Sequence, residues 1–457
     1  MNFSLIKEKI SPKFLFIISA LFIGFFCFCA TSIIPPLQSP DEVQHLRRAY
    51  FLSQGHILLT APPHEASGGD IDSGLDDYLA HFFTFAAHQE RKITEGDSRF
   101  ELTTPWSNQQ HFAVAQGTGY YFPLIYTPQA IGLLAGHASH LSIDRSYRLA
   151  RVLATLTATA VTVAAFAIYS PNVLVLALVV LPMSLFQSAS ASLDGLATAF
   201  TLLALSTFCQ IVRLQTRAPL YLFYLLSIAV TLVATSRLHA FPLLLLPFAA
   251  WYYTRQKTLL WQAVFCSVFT IGWTLLAMKI NVFSLTPNAS ASGKFKDIIV
   301  HPFHFLHLVG STLLNQDKQE FYITSFIGNL GWLDTPLPAR FYHAMLVLLC
   351  VITILSIKWD KPLAMLKASG LLLFAGCASF LLIFIALYAA WTAPDSPVIE
   401  GIQGRYFLVP ALFLAYSLGK FEITGKNLCA FSVFVLTFLF SVHSVIPILL
   451  TRYYIGS

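Results

Sequence analysis

Charged residues are scarce in this sequence: Asp, Glu, Lys and Arg together make up 11% of its 457 residues. Hydrophobic residues make up 56%, and the mean hydropathy is +0.67. This balance excludes a soluble globular domain and is typical of a polytopic helical membrane protein. We therefore expect an all-α protein in which residues 1–457 form a single integral membrane domain.

Cysteines are few, and nucleotide-binding motifs are missing. Each of the seven cysteines lies in an apolar segment, so none is placed to cross-link an external loop. The sequence has no G-x-x-x-x-G-K-[ST] motif, which excludes a P-loop nucleotide site. His301, His304 and His307 have helical spacing but alternate with Phe and Leu, which favours an interfacial helix over a metal site. No cofactor is predicted, and a divalent metal requirement stays open.

Long apolar runs dominate the chain. The first, residues 14–34, is long enough to cross a hydrocarbon core of roughly 30 Å at about 1.5 Å per residue. It follows Lys7, Lys9 and Lys13, which places the amino terminus in the cytoplasm, and it is too long for a cleaved signal peptide. Ten further runs are predicted to span the membrane: residues 148–169, 172–188, 195–213, 218–235, 238–254, 258–284, 341–357, 366–391, 404–420 and 427–450.

One more apolar stretch, residues 120–140, decides the topology. If it crossed the membrane, the basic residues between the later spans would all lie outside, so the positive-inside rule predicts that it does not span. A proline and two glycines interrupt it, as in an interfacial or re-entrant helix. The sequence therefore predicts eleven spans, an external carboxyl terminus, and external loops at residues 35–147, 285–340 and 392–403.

The loop lengths place any chemistry at the external face. The predicted internal loops are only a few residues long and leave no room for a nucleotide-binding domain. An activated group would therefore arrive on a lipid, and no nucleic-acid partner is expected. Residues 35–118 of the first external loop carry eleven Asp or Glu against five Lys or Arg, but a solvated surface explains most of these charges.

Two acidic residues, Asp41 and Glu42, follow the first span by a few positions. Three prolines keep the chain extended before them, and residues 43–50 are predicted to form a short helix on the membrane surface. One interpretation is that a carboxylate is placed there for chemistry. The other is that both residues stabilise the amino terminus of that helix through its dipole. The residues alone favour neither interpretation.

Several patches of sequence resemble an uncharacterised bacterial family of predicted multi-pass membrane proteins. They are Pro40-Asp41-Glu42 with His45 and Arg48, Asp194 in SASLDGLATAF, GNLGWLDTPLP at 328–338 and QGRYFLVP at 403–410. The patches occur in the expected order over nearly the whole chain. That family in turn looks like a branch of the GT-C glycosyltransferases, which are membrane enzymes that use polyprenyl-linked sugars. The resemblance implies a GT-C-like bundle of about eleven helices in the bacterial inner membrane, with interfacial helices in a large first external loop.

The GT-C resemblance also implies a set of site residues. It calls for a carboxylate near the end of the first span, a second acidic residue in a later external loop, and cations for a lipid phosphate. Asp41 and Asp194 match the acidic positions, and the adjacent Glu42 leaves open which of the pair is the base. The arginines expected to bind the lipid phosphate are Arg145, Arg148, Arg151, Arg237 and Arg405. For each of them the alternative is an anchor that snorkels to lipid headgroups.

The expected function is sugar transfer to a cell-envelope glycan, such as an O-antigen. Asp41, or in second place Glu42, would take the proton of an acceptor hydroxyl as its oxygen attacks the anomeric carbon, with inversion. Contacts with the sugar or the acceptor are predicted at His45, Arg48, Trp332, Asp334 and Tyr406. The expected partners are a polyprenyl-phosphate-linked donor, a glycan or lipid-linked acceptor, and membrane lipids. The alternative is a transporter or polymerase component that handles the same glycans without using Asp41.

Overall fold

The computed structural model describes residues 11–455 except residues 64, 87, 116, 282–290 and 394. Lys7 and Lys9, and the part of the second predicted external loop up to residue 290, lie outside the described residues. The described chain is mostly helical and has two small antiparallel sheets of two strands each. The paired strands are Gly68–Asp72 with Gln110–Val114, and Asn329–Leu330 with Thr335–Pro336.

Seven helices in the described part of the chain are long and apolar enough to cross a membrane. They are Pro12–Ile33, Ile143–Ile168, Asp194–Arg217, Lys257–Ile280, Ala339–Ser356, Leu363–Ala390 and Gly425–Tyr453. An eighth crossing would need the helices Gly293–Val300 and Pro302–Leu314 to act together, and these are bent by 101° at their break. The prediction of eleven spans is therefore not confirmed.

Four of the predicted spans consist of shorter helices. They are Val173–Val179 with Pro182–Ser188, Leu220–Ala234, Leu238–Leu244 with Leu245–Thr254, and Gly404–Phe407 with Leu408–Ser417. Pro182 explains the first break, because a proline drives the preceding residue out of the helical region, and Leu181 has a ψ of 140°. Two of the other segments begin with a 3₁₀ turn. Hydropathy could not reveal these breaks, since the broken segments are as apolar as continuous helices.

The first loop folds onto the helices rather than forming a separate body. Its own helices are Glu42–Ser53, Ser73–Phe83, Glu95–Thr103 and Thr127–Ala138. Leu46, Phe51 and Tyr78 from the loop share one buried apolar cluster with Tyr147 of the helix Ile143–Ile168. Residues of the loop are therefore held in fixed positions relative to the long helices.

The stretch 120–140 contains the helix Thr127–Ala138, which has 12 residues. At about 1.5 Å per residue this helix is roughly 18 Å long, and it is not among the described helices that are long and apolar enough to cross a membrane. Gly132 allows it to lie close against the next helix, because a Cβ at that position would be 2.4 Å from Cα of Ala150. Ile131 and Leu134 are exposed on the helix surface. These features fit the predicted interfacial helix, and its position relative to the membrane stays a prediction.

Basic residues gather at one end of the helix bundle. Lys358 forms an ion pair with Glu422 at 2.6 Å. Burial, together with the nearby positive charges of Arg213 and Lys13, lowers the pKa of Lys420. Lys13, Arg213, Lys358 and Lys420, which belong to the basic segments predicted to lie inside, are therefore close to one another.

The first loop and the carboxyl-terminal helix meet at the opposite end. The amide of Ile93 donates to the carbonyl of Tyr453 at 2.7 Å, and the hydroxyl of Tyr454 donates to the carbonyl of Ile33 at 3.0 Å. Ile33 ends the helix that begins next to the basic cluster. Asp41 follows Ile33 closely in the chain, so the candidate site lies at this second end.

Candidate functional site

Asp41 stands at the amino-terminal cap of the helix Glu42–Ser53, but its side chain does not cap that helix. Its φ of 62° is in the left-handed region, which few residues other than glycine adopt. The carboxylate instead accepts a hydrogen bond from Nη2 of Arg405, and the Asp41 side chain is 48% exposed. This geometry argues against helix capping as the role of Asp41.

Arg405 connects the two acidic positions. It lies in the 3₁₀ turn Gly404–Phe407, and its side chain is 2% exposed. Besides Asp41, its Nη1 donates to Oδ2 of Asp194 and to the carbonyl of Pro40, both at 3.3 Å. Its Nε donates to the side chain of Gln403 at 2.6 Å. One buried guanidinium group therefore holds both carboxylates.

The structure explains why position 404, in the QGRYFLVP motif, is a glycine. A Cβ on Gly404 would lie 2.0 Å from the carbonyl oxygen of Tyr322, and the Gly404 amide donates to Oγ of Ser325 at 2.8 Å. Any side chain at this position would push the turn away from the helix Gln316–Ile327. Arg405, the next residue, would move with it.

Asp194 begins the helix Asp194–Leu214, and its side chain is 14% exposed. Arg237, which stands just before the 3₁₀ turn Leu238–Leu244, donates through Nη2 to Oδ1 of Asp194. Gln187 donates to Oδ2 of Asp194 at 3.0 Å. Segments that are distant in sequence thus meet through side chains placed at the ends of helices.

The charges of the cluster are balanced, with two carboxylates and two guanidinium groups. Partial burial raises the pKa of Asp41, but the positive charges around it, with that of Arg405 first among them, together hold the pKa below its ordinary value. Burial lowers the pKa of His45 to about 4, so this imidazole is neutral at neutral pH, and its Nδ1 lies 2.7 Å from the hydroxyl of Tyr126. Within the described residues, no group of three or more His, Cys, Asp or Glu side chains could hold a metal ion.

Tyrosine rings lie over both arginines. The centroid of the Tyr121 ring is 5.7 Å from the guanidinium carbon of Arg237 and 6.2 Å from the centroid of the His45 ring. The centroid of the Tyr406 ring is 5.2 Å from the guanidinium carbon of Arg405. Such contacts stabilise a cation and leave an aromatic surface beside it. Tyr406 was predicted from the sequence, whereas Tyr121 was not, because Tyr121 lies at the start of the apolar stretch 120–140 and no motif marked it.

Glu42 occupies a different environment from Asp41 and is fully buried. Its carboxylate accepts from the hydroxyl of Tyr147 at 2.8 Å, from the amide of Ala191 at 2.7 Å and from Nη2 of Arg151 at 3.3 Å. The amide of Ser39 also donates to it at 3.2 Å. These donors come from separate segments, so Glu42 fixes the first loop to two other parts of the fold.

The three arginines at the start of the helix Ile143–Ile168 do not share a role. Arg151 is 2% exposed and pairs with Glu42. Arg148 donates through Nε to Asp144 at 2.9 Å, one helical turn before it. Arg145 is exposed. Of the five arginines predicted to bind a lipid phosphate, two lie at the carboxylate cluster.

The predicted sugar-binding residues are also divided. Arg48 is buried and donates to two backbone carbonyls of the segment that follows its helix, at 3.2 and 2.6 Å. Trp332 donates to a first-loop carbonyl at 2.9 Å, and Asp334 accepts from an arginine of the carboxyl-terminal helix at 2.9 Å. The contacts of Trp332 and Asp334 join the segment 328–338 to the first loop and to the carboxyl-terminal helix, and those of Arg48 lie within the first loop. His45 and Tyr406, in contrast, lie at the carboxylate cluster.

An apolar cavity of about 520 Å³ lies beside the cluster. Three helices form its walls: Gln316–Ile327, Leu363–Ala390 and Leu408–Ser417. Phe407, two residues after Arg405, is part of the wall. The lining is apolar and the space is open at the protein surface, so it suits a hydrocarbon chain.

Comparison with known proteins gives a single kind of match. A family model described as "Predicted membrane protein (DUF2142)" matches residues 22–414. The matched range includes Asp41, Asp194, Arg237 and Arg405. No curated protein and no solved structure matches the chain.

Proposed function

The chain belongs to DUF2142, a family of predicted membrane proteins. We propose that it transfers a sugar from a polyprenyl-phosphate donor to a cell-envelope glycan. One observation carries the proposal. Asp41 and Asp194 meet Arg237 and Arg405 at the ends of helices, beside an apolar cavity. A proton acceptor, two cations and an apolar space are the parts that a lipid-linked donor and a hydroxyl acceptor require.

The site is proposed to face the extracytoplasmic side of a bacterial cytoplasmic membrane. The basic end, with Lys13 and Lys420, would then lie inside, as the positive-inside rule favours. The four segments of shorter helices would also cross, which gives eleven crossings in a GT-C-like bundle. Irregular backbone is tolerated at membrane depth where it is buried in protein or lines a cavity, and the breaks before Leu238 and Leu408 lie at the charged cluster.

The donor is proposed to bind with its phosphate at the arginines and its prenyl chain in the cavity. Guanidinium groups match phosphate geometry because two parallel N–H groups can donate to two oxygens. Phe407 connects the two parts, since it lines the cavity two residues after Arg405. The exposed surfaces of Tyr121 and Tyr406 would stack on the C–H faces of the sugar, next to the neutral His45.

The reaction is proposed as one displacement. The oxygen of the acceptor hydroxyl attacks the anomeric carbon, and its proton passes to the Asp41 carboxylate. The bond from the anomeric carbon to the phosphate oxygen breaks, and its electron pair leaves with the polyprenyl phosphate, whose charge Arg237 and Arg405 neutralise. Asp41 then returns its proton to water. Glu42 ranks second as a base because its carboxylate is buried and already accepts several hydrogen bonds.

The experiment compares the surface glycan of a deletion strain with that of its parent by mass spectrometry. We expect the deletion to remove a sugar that the wild-type gene restores and Asp41→Asn does not. Loss of a general base should lower the transfer rate about 10²-fold or more, with the amount of membrane-inserted protein unchanged. Asp76→Asn is the control, since Asp76 is a first-loop carboxylate paired with Arg47. An unaltered glycan in the deletion strain would contradict the proposal.

The second candidate is a transporter or polymerase component for lipid-linked glycans. The observation that favours it is the set of broken helices whose ends meet at a charged cluster, as in secondary transporters. Such a protein needs the cations but no proton acceptor. Full glycan modification by Asp41→Asn, combined with its loss in Arg405→Gln, would favour this second function.

A further inference from the structure

The proposed base and the proposed phosphate ligand are bound to each other in this structure. Nη2 of Arg405 donates to Oδ2 of Asp41. A phosphate cannot take full hold of that edge of the guanidinium group while the carboxylate occupies it. We propose that the donor phosphate replaces Asp41 on Arg405, so that the Asp41 carboxylate becomes free only once the donor is bound. This inference rests on the proposed function and describes how the same site is regulated.

Among the acceptors of Arg405, Asp41 is the one best able to leave. Its side chain is 48% exposed, whereas that of Asp194 is 14% exposed. Water can therefore solvate the released Asp41 carboxylate, which removes most of the penalty for breaking an ion pair. Pro40 and Gln403 contribute neutral oxygens, and these do not compete with a phosphate for positive charge.

Asp194 has partners other than Arg405 that keep its carboxylate in place. Arg237 and Gln187 also donate to its carboxylate, so Asp194 keeps charged and neutral partners if Arg405 turns toward a phosphate. The hydrogen bond that the Asp41 side chain accepts comes from Arg405. A phosphate that enters the balanced cluster would therefore be accommodated by the release of Asp41 rather than of Asp194.

The local backbone leaves room for the released side chain. Asp41 is the cap residue of the helix Glu42–Ser53 yet makes no capping hydrogen bond, so its carboxylate can turn toward the helix amino terminus or toward an acceptor hydroxyl. A carboxylate that has lost its guanidinium partner binds a proton more tightly and is a better base. Donor binding would thus precede activation of the acceptor.

Farnesyl phosphate, with farnesol as its neutral counterpart, tests this exchange on the purified full-length protein in detergent. Asp41→Asn has the same shape but does not compete for Arg405 as a charge. We expect this variant to bind farnesyl phosphate about tenfold more tightly than the wild type, because the competing carboxylate is gone. Binding of farnesol should be unchanged. Affinities come from titrations that follow the thermal unfolding temperature, which also shows whether the variant is folded.

Asp76→Asn is the matched control, since it removes a first-loop carboxylate that pairs with Arg47. The gain in affinity for farnesyl phosphate should be absent in Asp76→Asn. In Asp41→Asn it should persist in about 0.5 M NaCl, because salt at this concentration screens charges that are more than a few ångströms apart. Equal or weaker binding by Asp41→Asn, or an equal gain in Asp76→Asn, would overturn the exchange.

The outcome for the proposed function is separate. If Arg405→Gln weakens binding of farnesyl phosphate while Asp41→Asn does not strengthen it, the lipid-phosphate site stands and the exchange fails. If neither the wild type nor Asp41→Asn prefers farnesyl phosphate to farnesol, both the exchange and the proposed function fail. Tighter binding of dioleoyl phosphatidic acid than of farnesyl phosphate would assign the site to a phospholipid headgroup and would also contradict the proposed function.

Discussion

Asp41 and Glu42 are neighbours in the chain, yet their carboxylates have opposite surroundings. The Asp41 side chain is 48% exposed and pairs with Arg405, whereas that of Glu42 is 0% exposed and pairs with Arg151. The left-handed backbone at Asp41 separates the two side chains at the start of the helix. The first joins a cluster between helix ends, and the second joins the packing between the first loop and the helix Ile143–Ile168.

The difference shows how the surroundings of a carboxylate decide what it can do. Glu42 accepts from side chains and from backbone amides of separate segments, so moving it would leave several buried donors without an acceptor. Asp41 can exchange its partner for water or for a substrate at a small cost. The two acidic residues are adjacent in the sequence, but in the fold Glu42 contributes to stability and Asp41 belongs to the candidate site.

Glu42→Gln should have the largest effect on stability. A small effect would contradict the difference between Glu42 and Asp41. The side-chain amide of the introduced Gln carries no charge, so the buried guanidinium of Arg151 loses its negative partner. This loss should lower the free energy of unfolding by about 3 kcal/mol. Asp41→Asn, its matched control, should cost less than about 1 kcal/mol, because the Asp41 carboxylate is half exposed and Arg405 keeps Asp194 as a negative partner. Thermal unfolding of both purified variants in detergent measures the difference. Equal losses would mean that the two carboxylates do not differ in role.

A pH series sharpens the comparison with a third carboxylate. Burial, and then the negative charge of Asp144, raises the pKa of Glu101 from 4.5 to about 7, although Arg148 opposes the shift. The folded state then holds a proton that the unfolded state has lost, so stability should fall as the pH rises from 4.5 to 7. The Asp41 pair has the opposite sign, since Arg405 lowers that pKa and its contribution is lost as the pH falls below 3.8.

Glu101→Gln isolates this effect. Relative to the variant, the wild type should lose about 1 kcal/mol of stability between pH 4.5 and 7, a figure reduced for the solvent exposure of Arg148. Unfolding temperatures of the two proteins across this range provide the measurement. A parallel pH dependence of both proteins would show that Glu101 titrates normally.

The helices were the most predictable part of the fold. Long apolar runs fixed the seven helices that are able to cross a membrane, and the charges between them set the expected orientation. Hydropathy did not reveal the breaks, because a helix and a broken helix bury similar apolar surface; Pro182 marks the break at Leu181 in the sequence, whereas no such signal precedes Leu238. The stretch 120–140 was predicted not to span, because a crossing there would have placed the basic loops outside, and its helix Thr127–Ala138 is not among the described helices that are long enough to cross.

The site was predictable in part: the family resemblance grouped Asp41 and Asp194 with five arginines, and two of these, Arg237 and Arg405, lie with them in the structure. Asp41, Asp194 and Arg405 stood out in the sequence, and the structure brings them together. The sequence could not show that Arg151 serves Glu42, because the two residues are 109 positions apart. Residues from distant segments meet only through the packing of the fold, and a single sequence carries no record of that pairing.

Arg145→Gln should have the smallest effect, and it tests whether the comparison extends to the arginines. Arg145 is exposed, so its loss should change stability by less than about 0.5 kcal/mol and glycan transfer by less than about twofold. Arg237→Gln should lower transfer about 10²-fold, because Arg237 is a cation of the carboxylate cluster. Glycan analysis of the complemented deletion strain compares the two variants at equal protein levels. If Arg145→Gln impaired transfer as strongly as Arg237→Gln, the lipid phosphate would bind at the start of the helix Ile143–Ile168, and the cluster around Asp194 would have a structural role instead.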